Sequence, residues 1–161
     1  ADGIGCPIVV AGGTPSFPCH LQDTDWYVSP GTAIITDAGY YINLPDLEFV
    51  PGAAILTRVI SHPAPGIFTT DLGYKGIASD PAAQRGYIVG LEDAVPVVHS
   101  EEHWAFRLED EAKIPPIGAC LYVIPTHICP TTALYPEILV AKDGIVTEKW
   151  EVTARNRKIN Y

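Results

Sequence analysis

Proline and glycine punctuate this chain so densely that long helices have no room. Fifteen prolines and 14 glycines are scattered along 161 residues, and few stretches of ten escape one. A proline inside a helix removes a backbone donor and clashes with the preceding turn, and an interior glycine costs backbone entropy. Between these breaks lie short apolar runs rich in β-branched and aromatic residues. They are Ile8-Val9-Val10, Thr32-Ala33-Ile34-Ile35, the segment from Ala54 to Ile60, Gly86 to Gly90, Cys120 to Ile124 and Glu137 to Ala141. A last candidate, Lys149 to Ala154, alternates polar and apolar. Asp143-Gly144 separates two such runs and is a strong hairpin signal. Short strands between turn-forming residues predict a mainly β fold, a barrel or a sandwich. No internal repeat is visible, and the polar loop at Ser29-Pro30-Gly31 marks a boundary before the strand series.

The length suits one domain with a real core. A net charge of −9 keeps the chain soluble and repels nucleic acid and anionic membrane. The one basic cluster, Arg155-Asn156-Arg157-Lys158, reads as a solvated tail rather than a nucleic-acid arm. No apolar run approaches the roughly 20 residues of a membrane span, and no signal-peptide pattern opens the chain. Cys6, Cys19, Cys120 and Cys129 form no CxxC pair and are sparse for a disulfide-stapled scaffold, so a reduced, cytoplasmic setting is expected. The chain contains no methionine, and its opening Ala1-Asp2-Gly3-Ile4-Gly5 reads like the middle of something, as in a processed product or a piece of a larger protein.

The densest chemistry is His127-Ile128-Cys129, bracketed by Pro125 and Pro130. In an extended segment, residues two apart point to one face, and nitrogen with sulfur suits zinc. Two protein ligands leave open positions for water or a substrate. The plain alternative is a buried free cysteine beside a half-buried histidine. Cys19 and His20 would complete a closed Cys2His2 zinc site only awkwardly, because neighbours on a strand face opposite ways. Gly12-Gly13-Thr14, after the run Ile8 to Ala11, offers converging backbone amides and a hydroxyl to a phosphate, or is an ordinary strand-ending turn. Ser100-Glu101-Glu102-His103 places two carboxylates beside an imidazole that one of them can orient, or is a solvated turn. Asp71 and Lys75 form either a functional pair near flexible glycines or a surface ion pair.

Taken in order, these pieces resemble one family. They are Gly12-Gly13-Thr14-Pro15, Pro30-Gly31-Thr32, Ser61-His62-Pro63-Ala64-Pro65-Gly66, Asp71-Leu72-Gly73-Tyr74-Lys75 with Asp80, and Glu101-Glu102-His103. Pro125 to Thr131, then Asp143-Gly144 to Trp150 and Ala154-Arg155, complete the series. The chain resembles the C-terminal part of the D-threonine aldolase and D-serine dehydratase family, fold-type III, alanine-racemase-like pyridoxal-phosphate enzymes. The resemblance covers nearly the whole chain. It implies a mainly β C-terminal barrel or sandwich over residues 29–161. Residues 1–28 would be the last strand and phosphate loop of an otherwise missing (β/α)8 barrel that binds the cofactor. It further implies that Gly12, Gly13 and Thr14 hold the cofactor phosphate. His127 and Cys129 would ligate a divalent metal, zinc favoured with manganese the other candidate, and His103 is a candidate supporting residue.

The substrate class implied is a D-3-hydroxy amino acid, cleaved by a retro-aldol route or dehydrated by β-elimination; an amino-acid racemase is a further alternative. The complete enzyme is expected to be a homodimer. The family's Schiff-base lysine belongs to the first barrel strand. None of Lys75, Lys113, Lys142, Lys149 and Lys158 occupies that place. The chain alone is therefore expected to be inactive and to need the N-terminal barrel. A reading from another class is a non-catalytic β-domain serving dimerisation or ligand binding.

Overall fold

The computed structural model describes residues 5–22 and 25–160. The opening Ala1 to Ile4, read above as the middle of something, lies outside the described residues. Among the described residues there are three short α-helices, none longer than six residues: α1 (Phe17–His20), α2 (Ala38–Asn43) and α3 (Ile128–Thr132). The predicted scarcity of helix is therefore observed.

The chain starts with a parallel pair. β1 (Val10–Gly12) lies beside β2 (Tyr27–Ser29), with α1 in the connection. β2 runs across residue 28, where the sequence reading puts a boundary. Then comes one six-stranded sheet. β3 (Ile55–Ala64), β4 (Ile67–Thr70), β5 (Gly86–Ile88), β6 (Val95–His99), β7 (Trp104–Arg107) and β8 (Cys120–Pro125) are ordered β5-β8-β3-β4-β7-β6. Every pairing in it is antiparallel. Ile88, from one edge, shares a buried cluster with Val59, Phe68, Trp104, Phe106 and Val123 from strands across the sheet. A flat sheet could not bring these residues together, so the sheet curls around its core. Phe68 and Phe106 stack at 5.5 Å and Trp104 lies 4.5 Å from Phe106.

β9 (Glu137–Lys142) and β10 (Ile145–Glu151) form a separate antiparallel hairpin. Its two-residue loop has positive φ at both Asp143 (53°) and Gly144 (77°), as the predicted Asp-Gly hairpin turn requires. β10 begins four residues before the predicted Lys149 and stops at Glu151; all seven of its residues are exposed.

One predicted strand is not a strand. Thr32–Ile34 is a single 3-10 turn. The Thr36 amide donates to the Thr32 carbonyl at 2.7 Å, and the Ala33 amide finds the Thr14 hydroxyl at 3.1 Å. The segment thus satisfies its own backbone, and no neighbouring strand is needed. Conversely β2, β4, β6 and β7 arise where no strand was predicted. Phe68 and Thr70, and Trp104 and Phe106, are buried at every second position, but four residues are too few to make that alternation legible.

Phe68 is fully buried. Phe68→Ala should lower unfolding free energy by about 3–5 kcal/mol in urea denaturation, because the lost ring leaves a cavity that the stacked aromatics cannot fill.

Candidate functional site

His127 and Cys129 sit where β8 ends. The expected extended segment is instead the start of a helix: His127 is its N-cap, with φ −131° and ψ 102°, and Cys129 lies in the first turn. Pro130 does not prevent this, because the first amides of a helix have no partner within it. The same-face argument for an extended chain therefore does not apply to these two side chains.

What starts the helix here is a carboxylate distant in sequence. Asp37, 2 % exposed, accepts from the Ile128 amide through Oδ2 at 2.9 Å and from the Tyr40 amide through Oδ1 at 3.0 Å. One side chain thereby caps α2 and meets the first amide of α3. Gly39 lies so close that a Cβ there would collide with the Thr126 carbonyl, which also accepts from the Gly39 amide at 3.1 Å. Within α3, the Thr131 hydroxyl donates to the His127 carbonyl at 2.8 Å and accepts from the Ala78 amide at 3.2 Å. Tyr135 donates to the Gly76 carbonyl at 2.7 Å; burial pushes its phenol pKa up.

These bonds anchor the loop between β4 and β5, and that loop carries Asp80 to the histidine. Asp80 Oδ2 lies 2.9 Å from His127 Nδ1. In a neutral imidazole, Nδ1–H donation to Asp80 leaves the Nε2 lone pair free. That orientation suits metal ligation, in which the second ring nitrogen is held by a carboxylate. Cys129 is exposed, which removes the reading of it as a buried core thiol; its Sγ lies 3.1 Å from Thr32 Oγ1. Tyr40 belongs to the same neighbourhood. Its phenol pKa is raised by burial first, then by Asp37 and Cys129, with the Thr32 hydroxyl opposing. The donors fit a soft-to-borderline divalent ion with open positions. Among the described residues no group of three histidine, cysteine or acidic side chains is placed to hold a metal. The closed Cys2His2 alternative is thereby overturned. Cys19 and His20 lie in α1, not on a strand, and His20 packs against Trp26.

Gly12 and Gly13 are exposed at the end of β1, with Gly13 at φ 93°. Thr14 is 2 % exposed, and its hydroxyl oxygen is taken by the Ala33 amide. The glycines leave the turn exposed, while the threonine ties it to the Thr32 turn.

Lys75 does not pair with Asp71. It bridges Glu101 at 3.0 Å and Glu102 at 2.7 Å, which raises its pKa and holds the Glu101 carboxyl below its usual range. Asp71 instead accepts from the Thr57 hydroxyl at 2.7 Å and the Arg58 amide at 2.8 Å. With both glutamates on Lys75, His103 has no side-chain hydrogen bond among the described residues. It is exposed beside a shallow hollow of about 300 Å³ lined also by Ile60, Thr69 and Val98, on a part of the sheet that His127 does not share. The sequence reading missed Thr32 and Asp37 as partners of the His127–Cys129 turn. Ninety-seven residues separate Thr32 from Cys129, and no local spacing signals such a contact.

Comparison with known proteins extends the picture. Residues 52–141 match the model of the putative serine dehydratase domain. A D-threonine aldolase of Arthrobacter sp. is 31% identical over 157 residues, covering 96% of this chain and 41% of its own. An uncharacterized protein of Mycobacterium tuberculosis (strain ATCC 25618 / H37Rv) is 31% identical over 115 residues, 70% of this chain and 86% of its own. The crystal structure of D-threonine aldolase from Filomicrobium marinum superposes with a TM-score of 0.84 at 26% identity, over 95% of this chain and 43% of that one. The fold alone is shared with D-threo-3-hydroxyaspartate dehydratase from Delftia sp. HT23, with a TM-score of 0.72 at 24% identity over 92% of this chain and 45% of that one. Solved variants of a D-threo-3-hydroxyaspartate dehydratase replace a histidine and a cysteine two positions apart by alanine, the cysteine variant in the metal-free form. The chain thus spans about two fifths of the aldolases it matches.

Asp37→Ala strands two helix-starting amides. It should destabilise the protein by about 2–4 kcal/mol in chemical denaturation, and Asp37→Asn, which keeps one acceptor, by less.

Proposed function

The chain belongs to the putative serine dehydratase domain family, and from that membership we propose that it is the C-terminal, metal-holding portion of a pyridoxal-phosphate-dependent lyase acting on D-3-hydroxy amino acids. The observation that carries the proposal is the His127–Asp80 pair at 2.9 Å, with exposed Cys129 in the same turn. The partial coverage of the aldolases supports a missing N-terminal barrel.

When bound, the pyridoxal ring supplies an electron sink for charge developing at Cα, and a divalent cation supplies positive charge to the substrate's β-oxygen. The chain's own residues hold these groups in place. The Gly12-Gly13-Thr14 turn would hold the phosphate, and the Thr14–Ala33 bond fixes that turn. His127 and Cys129 would hold the cation, with Asp80 orienting the His127 ring through Nδ1. Both ligands must give up competing protons, so affinity falls as pH drops. Zinc is the favoured ion because of the thiolate. Loss of a proton from the β-hydroxyl leads to cleavage between Cα and Cβ; loss of the α-proton with expulsion of hydroxide is the dehydratase route.

A second reading is a non-catalytic β-domain. It is favoured by the mycobacterial relative, 86% of whose length is matched by part of this chain.

The test is made in the full-length polypeptide carrying this chain. Cys129→Ala should lower metal content and turnover together by at least about tenfold, with pyridoxal phosphate still bound, and excess metal should partly restore activity. Product analysis separates the routes: glycine and an aldehyde for the aldolase, a keto acid and ammonia for the dehydratase. Unchanged metal content and turnover would refute the assignment. An open reading frame that starts just before Ala1 would favour the second reading.

A further inference from the structure

Two contacts reach the His127–Cys129 turn from one loop. Asp37 grips the Ile128 amide between the two ligand candidates, and Thr32 Oγ1 lies 3.1 Å from Cys129 Sγ. The loop that carries both is itself held tightly. Thr14 receives the Ala33 amide, the Thr36 amide closes on the Thr32 carbonyl at 2.7 Å, and the Gly52 amide donates to the Ile35 carbonyl at 2.9 Å. Thr36 is 2 % exposed and held at φ 27°, in the left-handed region that a β-branched residue avoids. A conformation of that kind persists only where its surroundings impose it. The position of Thr32 against Cys129 is thus set by the backbone on both sides of it.

We infer that Thr32 is a positioning residue for the metal site: its hydroxyl orients Cys129 Sγ toward the shared ion. The inference rests on the metal reading of His127 and Cys129. A sulfur that ligates a cation carries no proton, so in the loaded site only the Thr32 hydroxyl can donate across this contact. That hydrogen bond fixes the sulfur's direction, and it leaves the lone pairs that face away from Thr32 to the ion. The neighbouring Asp37–Ile128 bond fixes the backbone from which Cys129 projects, so main chain and side chain are held independently.

The experiment titrates the protein with Co2+ alone. It follows the sulfur-to-cobalt charge-transfer absorption in the near ultraviolet, with thermal melting recorded in parallel. The wild type should show the band, and Cys129→Ala should abolish it although Cys6, Cys19 and Cys120 remain. Thr32→Val keeps the shape and removes the hydroxyl. It should weaken Co2+ affinity about tenfold and shift the band, with the melting temperature unchanged. Thr32→Ser, which keeps the hydroxyl, should bind like the wild type. If Thr32→Val binds Co2+ within twofold of the wild type with an unshifted band, the positioning role is wrong while the metal site stands. Weakened binding in Thr32→Val that comes with a lowered melting temperature, or that Thr32→Ser shares in full, assigns Thr32 a structural role and also overturns the inference. A band missing from the wild type, or surviving Cys129→Ala, overturns the metal reading itself.

Discussion

A single buried carboxylate holds the functional end of this molecule together. Asp37 has two oxygens, and each accepts from the backbone amide of a different helix. Taking a carboxylate out of water is costly, and two short charge-assisted bonds to amides that would otherwise lack partners offset that cost. The bond to Ile128 joins residues 91 apart, so the turn bearing the metal-ligand candidates is organised by the N-terminal part of the chain. β8 ends at Pro125, two residues before His127; Asp37 makes the chain coil there and places Cys129 in a helical turn.

The same region shows how loops can be made precise without extended secondary structure. Asp80 reaches His127 from the loop between β4 and β5. That loop is held by Thr131, by Tyr135 and by the close approach of Gly73 to the Glu101 backbone, where a Cβ would not fit. The helix start, the capping residue and the carboxylate behind the imidazole therefore depend on one another. Removing any one of them removes support from the others, and the coupling runs through backbone bonds more than through side-chain pairs.

Much of the architecture is legible in the residues themselves. The scatter of proline and glycine excludes long helices; the run at Ala54 to Ile60 enters a strand at Ile55, and those at Cys120 to Ile124 and Glu137 to Ala141 lie in strands. The ordered motifs point to the family whose model residues 52–141 match. Long-range closure is what escapes a reading by local pattern. Thr32 to Ile35 looks like a strand, yet it turns because Thr14 supplies an acceptor to its amide. His127 to Cys129 looks extended, yet it coils because Asp37 does the same for Ile128. Lys75 stands four residues from Asp71 but finds Glu101 and Glu102 across the fold. In each case the deciding partner lies far away in sequence, and spacing carries no trace of it.

The β9–β10 hairpin has a property of a different kind. A strand with one dry face is locked in register, because slipping by one residue would turn its apolar side chains toward water. β10 has no dry face, since all seven residues are exposed, so its side chains impose no such penalty. The alignment against β9 is dictated from the tip, by the two left-handed residues Asp143 and Gly144, and is offset once more by the irregularity between Val146 and Glu148. The hairpin behaves like a ruler read from its zero mark: an error at Gly144 displaces every graduation down to Glu151, whereas an error at Trp150 displaces only itself.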